Sequence, residues 1–166
     1  AVMSNTDNYS SSVVKMANFA KNAAGWKKQT GGGITPELLM KQAFVESSWD
    51  PNVVNSKGFT GLGQIGPELV EDYKRANNIK GDINLLDPKV NSDIQAWSMN
   101  ELINSSFINK GNSTDEVKLA KALSAYNWGR GNMSKMLVEQ RDSGVDIYKS
   151  LDWLDALPKE TLEYFK

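Results

Sequence analysis

Pro36, Pro67 and Pro88 each stand at the head of a stretch whose apolar residues recur every three or four positions. Proline suits the first turn of a helix, where its missing N–H is not needed, and is expelled from the interior, where its ring clashes. Thr35 and Asp87 precede two of these prolines and can cap the helices they open, while Gly25, Gly111 and Gly129 offer stops. The chain is thereby cut into helix-length pieces. The pattern predicts a helix in "SSVVKMANFAKNAA", a glycine joint at 31–33, and a helix from Pro36 through Leu39, Ala43 and Phe44 that carries Glu46 near its end. It predicts further helices over "PELVEDYKRAN" and from Asp87 to Gly111, with Val90, Ile94, Trp97 and Leu102 on one face. Ser113 and Glu116 read as a capping box for a helix through Leu119, Ala122, Leu123 and Tyr126 that stops at Gly129. Shorter helices are expected over 133–142, 146–155 and 158 to the end. Residues 50–66, with four glycines and a proline, read as a small irregular β or loop region. The expected fold class is therefore mainly α, in a single domain of 1–166.

At 166 residues, 40% hydrophobic and 23% charged, the chain can bury a core without staples. A net charge of -1 and the lack of any dense basic run argue against nucleic acid as a partner. No stretch approaches the roughly 20 apolar residues that span a bilayer, and "AVMSNTDNYSSS" lacks the features of a signal peptide. The start at alanine suggests a processed product or a piece of a longer chain. With no histidine and no cysteine, Ser-His-Asp and Cys-His nucleophile schemes and ordinary zinc sites are excluded. Carboxylates, tyrosine, lysine, amides and backbone would have to do any chemistry, with neither metal nor organic cofactor expected.

Glu46 is the candidate acid. A carboxyl group held against Phe44, Val45 or Trp49 would be desolvated, which favours the neutral form that can donate a proton. From this position alone, a solvated glutamate at a helix end is the plainer alternative. Gln64, in the loop "GFTGLGQIG", could bring an amide beside it, and Tyr126 and Asn127 end an apolar helix where a phenol and an amide could face a shared cleft. Taken singly, loop glycines are turns and Tyr126 is core.

The segments "FVESSWDPNVVNSKG", "GLGQI", "DPKVNSDIQA", "ALSAYNWGRG" and "LPKETLEYF" occur in that order. In this the chain resembles the soluble lytic transglycosylase family, a branch of the lysozyme superfamily related to goose-type lysozyme, over roughly residues 34–166. The resemblance implies a lysozyme-like domain acting on the glycan strands of peptidoglycan. It also implies that Glu46 protonates the β-1,4 bond between N-acetylmuramic acid and N-acetylglucosamine, then takes a proton from the muramic C6 hydroxyl to give a 1,6-anhydro product. Ser56, Gln64, Tyr126 and Asn127 would line the cleft, and Glu160 would help close its floor or else merely favour a helix N-terminus. Domains of this kind serve bacterial wall turnover, secretion-machine assembly, and bacteriophage entry or lysis. Action at the cell wall or in the periplasm is expected, and the lack of a signal peptide leans the reading toward a phage or a larger parent chain.

Where the family commonly has methionines, this sequence has Gly63 and Gly66, from which a wider or more mobile subsite is expected. Where the family often has alanine, it has Trp128. Trp49 and Trp128 are the better candidates for stacking on a sugar, and Trp97 and Trp153 for the core. Two rival readings remain at this stage. One is a hydrolytic muramidase, with water positioned by Asp50 or by neutral groups around Gln64. The other is a non-catalytic peptidoglycan-binding module, suggested by the altered glycine loop.

Overall fold

A computed structural model describes residues 34–165. The helix expected over 11–24 and the glycine joint lie outside these residues. The first described helix, α1 (Pro36–Ser47), begins as expected, with the Thr35 hydroxyl accepting from Leu38 N at 3.1 Å. Helix α2 (Pro67–Ala76) has its first-turn proline and buries no residue fully. Helix α3 (Pro88–Ile103) is capped by Asp87, whose carboxylate accepts from Lys89 N at 2.9 Å.

Several boundaries differ from the sequence expectation, each for a local reason. Helix α3 stops at Ile103, well short of Gly111, because Asn104 turns its amide onto Asn100 O at 3.0 Å and the Ser105 hydroxyl donates to Leu102 O at 2.5 Å. Such local hydrogen bonds offer the backbone an alternative to helix. A short α4 (Ser106–Asn109) follows. Helix α5 (Asp115–Trp128) is capped by Thr114, which accepts from Val117 N at 3.2 Å, in place of the expected Ser113 box. Helix α6 (Arg130–Asp142) starts as soon as Gly129, at φ +97°, has turned the chain. Within 146–155, Asp146 accepts from Tyr148 N and Lys149 N to make a turn, and only Asp152–Ala156 winds into a 3₁₀ helix. The C-terminal stretch is α7 (Lys159–Leu162) followed by a 3₁₀ turn at Glu163–Phe165.

Helix α5 is the centre of the assembly, packing on α3, α4, α6 and α7. Its buried face is built from Val117, Ala120, Leu123, Ser124 and Ala125, and the small side chains let neighbouring helices approach closely. Around it, Ile94, Met99, Met133, Trp153 and Tyr164 are fully buried. Trp153 is core as expected, whereas Trp97 is half-buried and meets Tyr73 edge-on at 5.4 Å. Residues 50–66 form no regular strand but are pinned by antiparallel bridges pairing Val54 with Thr60 and Thr60 with Ile65. The result is a mainly α, lysozyme-like domain with a small irregular β region. No helix among the described residues is long and apolar enough to cross a membrane.

Candidate active site

The chain reverses sharply just beyond Glu46. Ser48 (φ +53°) and Trp49 (φ +63°) take left-handed conformations in succession, and Ser48 N closes α1 on Phe44 O at 2.9 Å. Non-glycine residues enter this region at a cost of roughly 1–2 kcal/mol each. The indole of Trp49 holds the reversal, donating to Met40 O at 2.9 Å and lying 4.6 Å from the exposed Phe44 ring. Helix α1 thus ends with Glu46 on its last turn.

The aromatic neighbours expected to dry the carboxyl are not its hydrogen-bond partners. Those partners come from the far end of the chain. Tyr164 OH donates to Glu46 Oε1, and Asn127 Nδ2 donates to the same oxygen at 3.0 Å. Thr161 Oγ1 donates in turn to Asn127 Oδ1 at 2.8 Å, which fixes the orientation of that amide. No hydrogen bond reaches Oε2 from the described residues. Burial raises the Glu46 pKa above its usual 4.5; the two hydrogen bonds pull it down, and the nearby charge of Glu160 pushes it up again. A partly buried carboxyl group with one oxygen held, and no described residue bonded to the other, can keep a proton at higher pH than usual.

Tyr126 OH donates to Gly63 O at 2.5 Å and thereby ties α5 to the glycine loop. Its own pKa rises through burial and the proximity of Glu46. The loop is held from below by Asn91, buried on α3. Its side chain accepts from Gly63 N at 2.8 Å and donates to Thr60 O at 2.8 Å and Leu85 O at 2.9 Å. One helix turn on, Gln95 donates to Gln42 Oε1 at 2.8 Å and to Leu39 O at 3.0 Å, joining α3 to α1. Buried amides satisfied on every side define one arrangement of these elements.

The space left by the two glycines is filled. A β-carbon at Gly63 would stand 2.9 Å from Tyr126 OH, and one at Gly66 would stand 2.2 Å from the Phe59 ring. The expected wider subsite is therefore replaced by a wall in which Tyr126 and Phe59 supply the bulk.

A cleft of about 630 Å³ runs along this wall, lined by Phe59, Gln64, Tyr126, Asn127, Trp128 and Arg130 among others. Of the candidate binding residues, Gln64, Tyr126, Asn127 and Trp128 are thus together. The Gln64 amide points back to Gly61 O and Val53 O, at 3.0 and 3.3 Å, which holds its own loop. Trp128 lines the cleft and also packs on the core. Ser56 lies exposed at the tip of the 54–60 turn, Trp49 lies beside Phe44, and Glu160 is exposed on α7; none of the three lines this cavity. Asp50 is exposed and accepts from Asn52 N at 2.9 Å, an Asx turn. The described residues contain no group of three or more potential metal-binding side chains.

Sequence reasoning missed Tyr164, Thr161 and Asn91. Tyr164 and Thr161 stand in "LPKETLEYF" and Asn91 in "DPKVNSDIQA", so the motifs were in view, but only Glu160 was singled out from them.

An α-helical domain that sets one partly buried carboxyl among tyrosine and amide donors, one of which (Asn127) lines a cleft that Glu46 itself does not, is of the lysozyme-like class. A family model for the transglycosylase SLT domain matches residues 24–148, and the chain belongs to that family. Membership carries transglycosylase-type function on peptidoglycan in general terms. The match starts ahead of the first of the five motifs and stops short of "LPKETLEYF". No curated protein matches the chain.

Proposed function

We propose that this protein is a peptidoglycan lytic transglycosylase in which Glu46 is the sole acid/base, within one domain of 1–166 whose five family-like segments lie in 34–166. The observation that carries this reading is the state of the Glu46 carboxyl, partly buried, held by Tyr164 and Asn127 at Oε1, and with no described residue bonded to Oε2. In this reading Oε2 gives its proton to the glycosidic oxygen as the bond from muramic C1 to that oxygen breaks. The carboxylate left behind takes the proton of the C6 hydroxyl, and O6 closes onto C1. No water enters, so no second carboxylate is required. The exposed Asx-turn position of Asp50 supports this over a paired-carboxylate mechanism. Gln64, Tyr126, Asn127 and Trp128 would bind the sugars in the cleft, with Ser56, Trp49 and Glu160 at its margins.

Mass spectrometry of digested peptidoglycan tests the reaction. Anhydromuropeptides are expected, with Glu46→Gln losing roughly 10²–10⁴-fold in rate, the scale of general acid–base catalysis. Products heavier by one water would make the protein a hydrolase.

A further inference from the structure

A second groove, of about 660 Å³ and bordered by Lys121 of α5, shares no lining residue with the cleft. Its apolar lining includes Phe107, Leu137, Val138 and Ile147, and Val138 is 45% exposed. Its charged lining residues are Lys110, Lys121 and Arg141, with no carboxylate among them. Lys121 is the unusual member. It is only 1% exposed, and no described residue accepts a hydrogen bond from its ammonium, which lies 5.3 Å from the centre of the Tyr148 ring.

Among the described residues the ammonium has the Tyr148 ring beside it but no hydrogen-bond acceptor, and a buried ammonium is ordinarily paired. The Asp146 carboxylate, whose charge acts on Lys121, is exposed, and its Oδ1 accepts from the Tyr148 and Lys149 amides. Burial holds the Lys121 pKa down at about 8 against its usual 10.5, with Asp146 pulling the other way. Arg141 lies 3.5 Å from Asp142, but both side chains are largely exposed, so that contact is weak and leaves the guanidinium available.

We propose that this groove binds an acidic peptide segment, one that sets carboxylates against Lys121, Lys110 and Arg141 and apolar side chains on the Phe107–Val138 floor. A neutral sugar would bring no charge to set against Lys110, Lys121 and Arg141. Three cations from three separate elements around a concave apolar floor match an extended chain carrying both kinds of side chain better than they match a compact anion. The site would tether the domain to a protein partner independently of the glycan chemistry.

The probe is a fluorescein-labelled, amidated Leu-Glu-Leu-Glu-Leu-Glu peptide titrated by anisotropy, with the Leu-Gln counterpart as its neutral control. Saturable binding is expected for the acidic peptide, at least tenfold weaker for the control, and reduced by added salt. Lys121→Met, which keeps the volume and removes the charge, should weaken binding roughly tenfold, the scale of one charge-assisted hydrogen bond, and leave glycan cleavage unchanged. Because Lys121 is buried, the surface pair Lys110→Gln and Arg141→Gln provides an independent arm with the same expected loss. Equal binding of the two peptides, or unchanged binding in both sets of variants, would overturn the proposal. So would vesicles containing phosphatidylglycerol binding where the acidic peptide does not, since a membrane surface would then be the partner.

Discussion

A carboxyl group gripped by one oxygen has its other oxygen left for chemistry, and at Glu46 the grip comes from Tyr164 and Asn127. Tyr164→Phe removes a donor that lowers the Glu46 pKa, so that pKa should move further up. The alkaline limb of the kcat/KM profile should then shift to higher pH, with kcat falling about tenfold, the scale of one hydrogen bond to a charged group. An unshifted limb would mean that Tyr164 does not position the acid. Stability carries the same signature. Folded Glu46 keeps its proton above 4.5, where the unfolded chain has lost it, so wild-type stability declines as pH rises through that window. Glu46→Gln carries no such proton. Its stability advantage over wild type should widen as pH climbs from about 4.5 and level off once Glu46 ionises, as read from urea melts across pH.

Elements differ in how far their positions can be read from sequence. The starts of α1, α2 and α3 are written in proline and in Thr35 and Asp87, because a first turn depends on only a few neighbouring residues. The end of α3 and the start of α6 are not so written, since the first is set by side chains of Asn104 and Ser105 that compete with the helix, and the second by a single glycine turn. The glycine loop is subtler. Its motif signalled a cleft wall, but the filling of that wall by Phe59 and Tyr126 depends on residues brought in from elsewhere. Gly63→Ala should push the Tyr126 hydroxyl off Gly63 O and cost about 1–3 kcal/mol, as overpacking does. Thermal melts check this, and an unchanged melting temperature would mean that the loop yields freely.

At the scale of the whole molecule, the acid and its two donors come from opposite ends of the described chain. Glu46 and Tyr164 are 118 residues apart and Glu46 and Asn127 are 81, so no local pattern could have announced their meeting. The candidate acid was legible in order and motif; the source of its burial was not. The family match ends at residue 148, yet Trp153, Leu157 and Tyr164 belong to the one core cluster. Deleting 150–166 should therefore remove cooperative unfolding as well as activity. Losing these large buried side chains, at roughly 2–5 kcal/mol each, is comparable with the whole stability of an ordinary domain. Circular dichroism melts of the shortened chain would show a broad transition, and a sharp one would mean that the core stands without its last turns.

Asn127 stands between the acid and the chain terminus with both faces of its amide engaged, giving protons to Glu46 and receiving one from Thr161. An aspartate there would keep the shape and reverse that polarity. Two acidic groups would then compete for a single hydrogen, and the lone acid would become half of a coupled pair. In the proposed mechanism, whether Glu46 can act as a soloist is thus decided by one nitrogen atom.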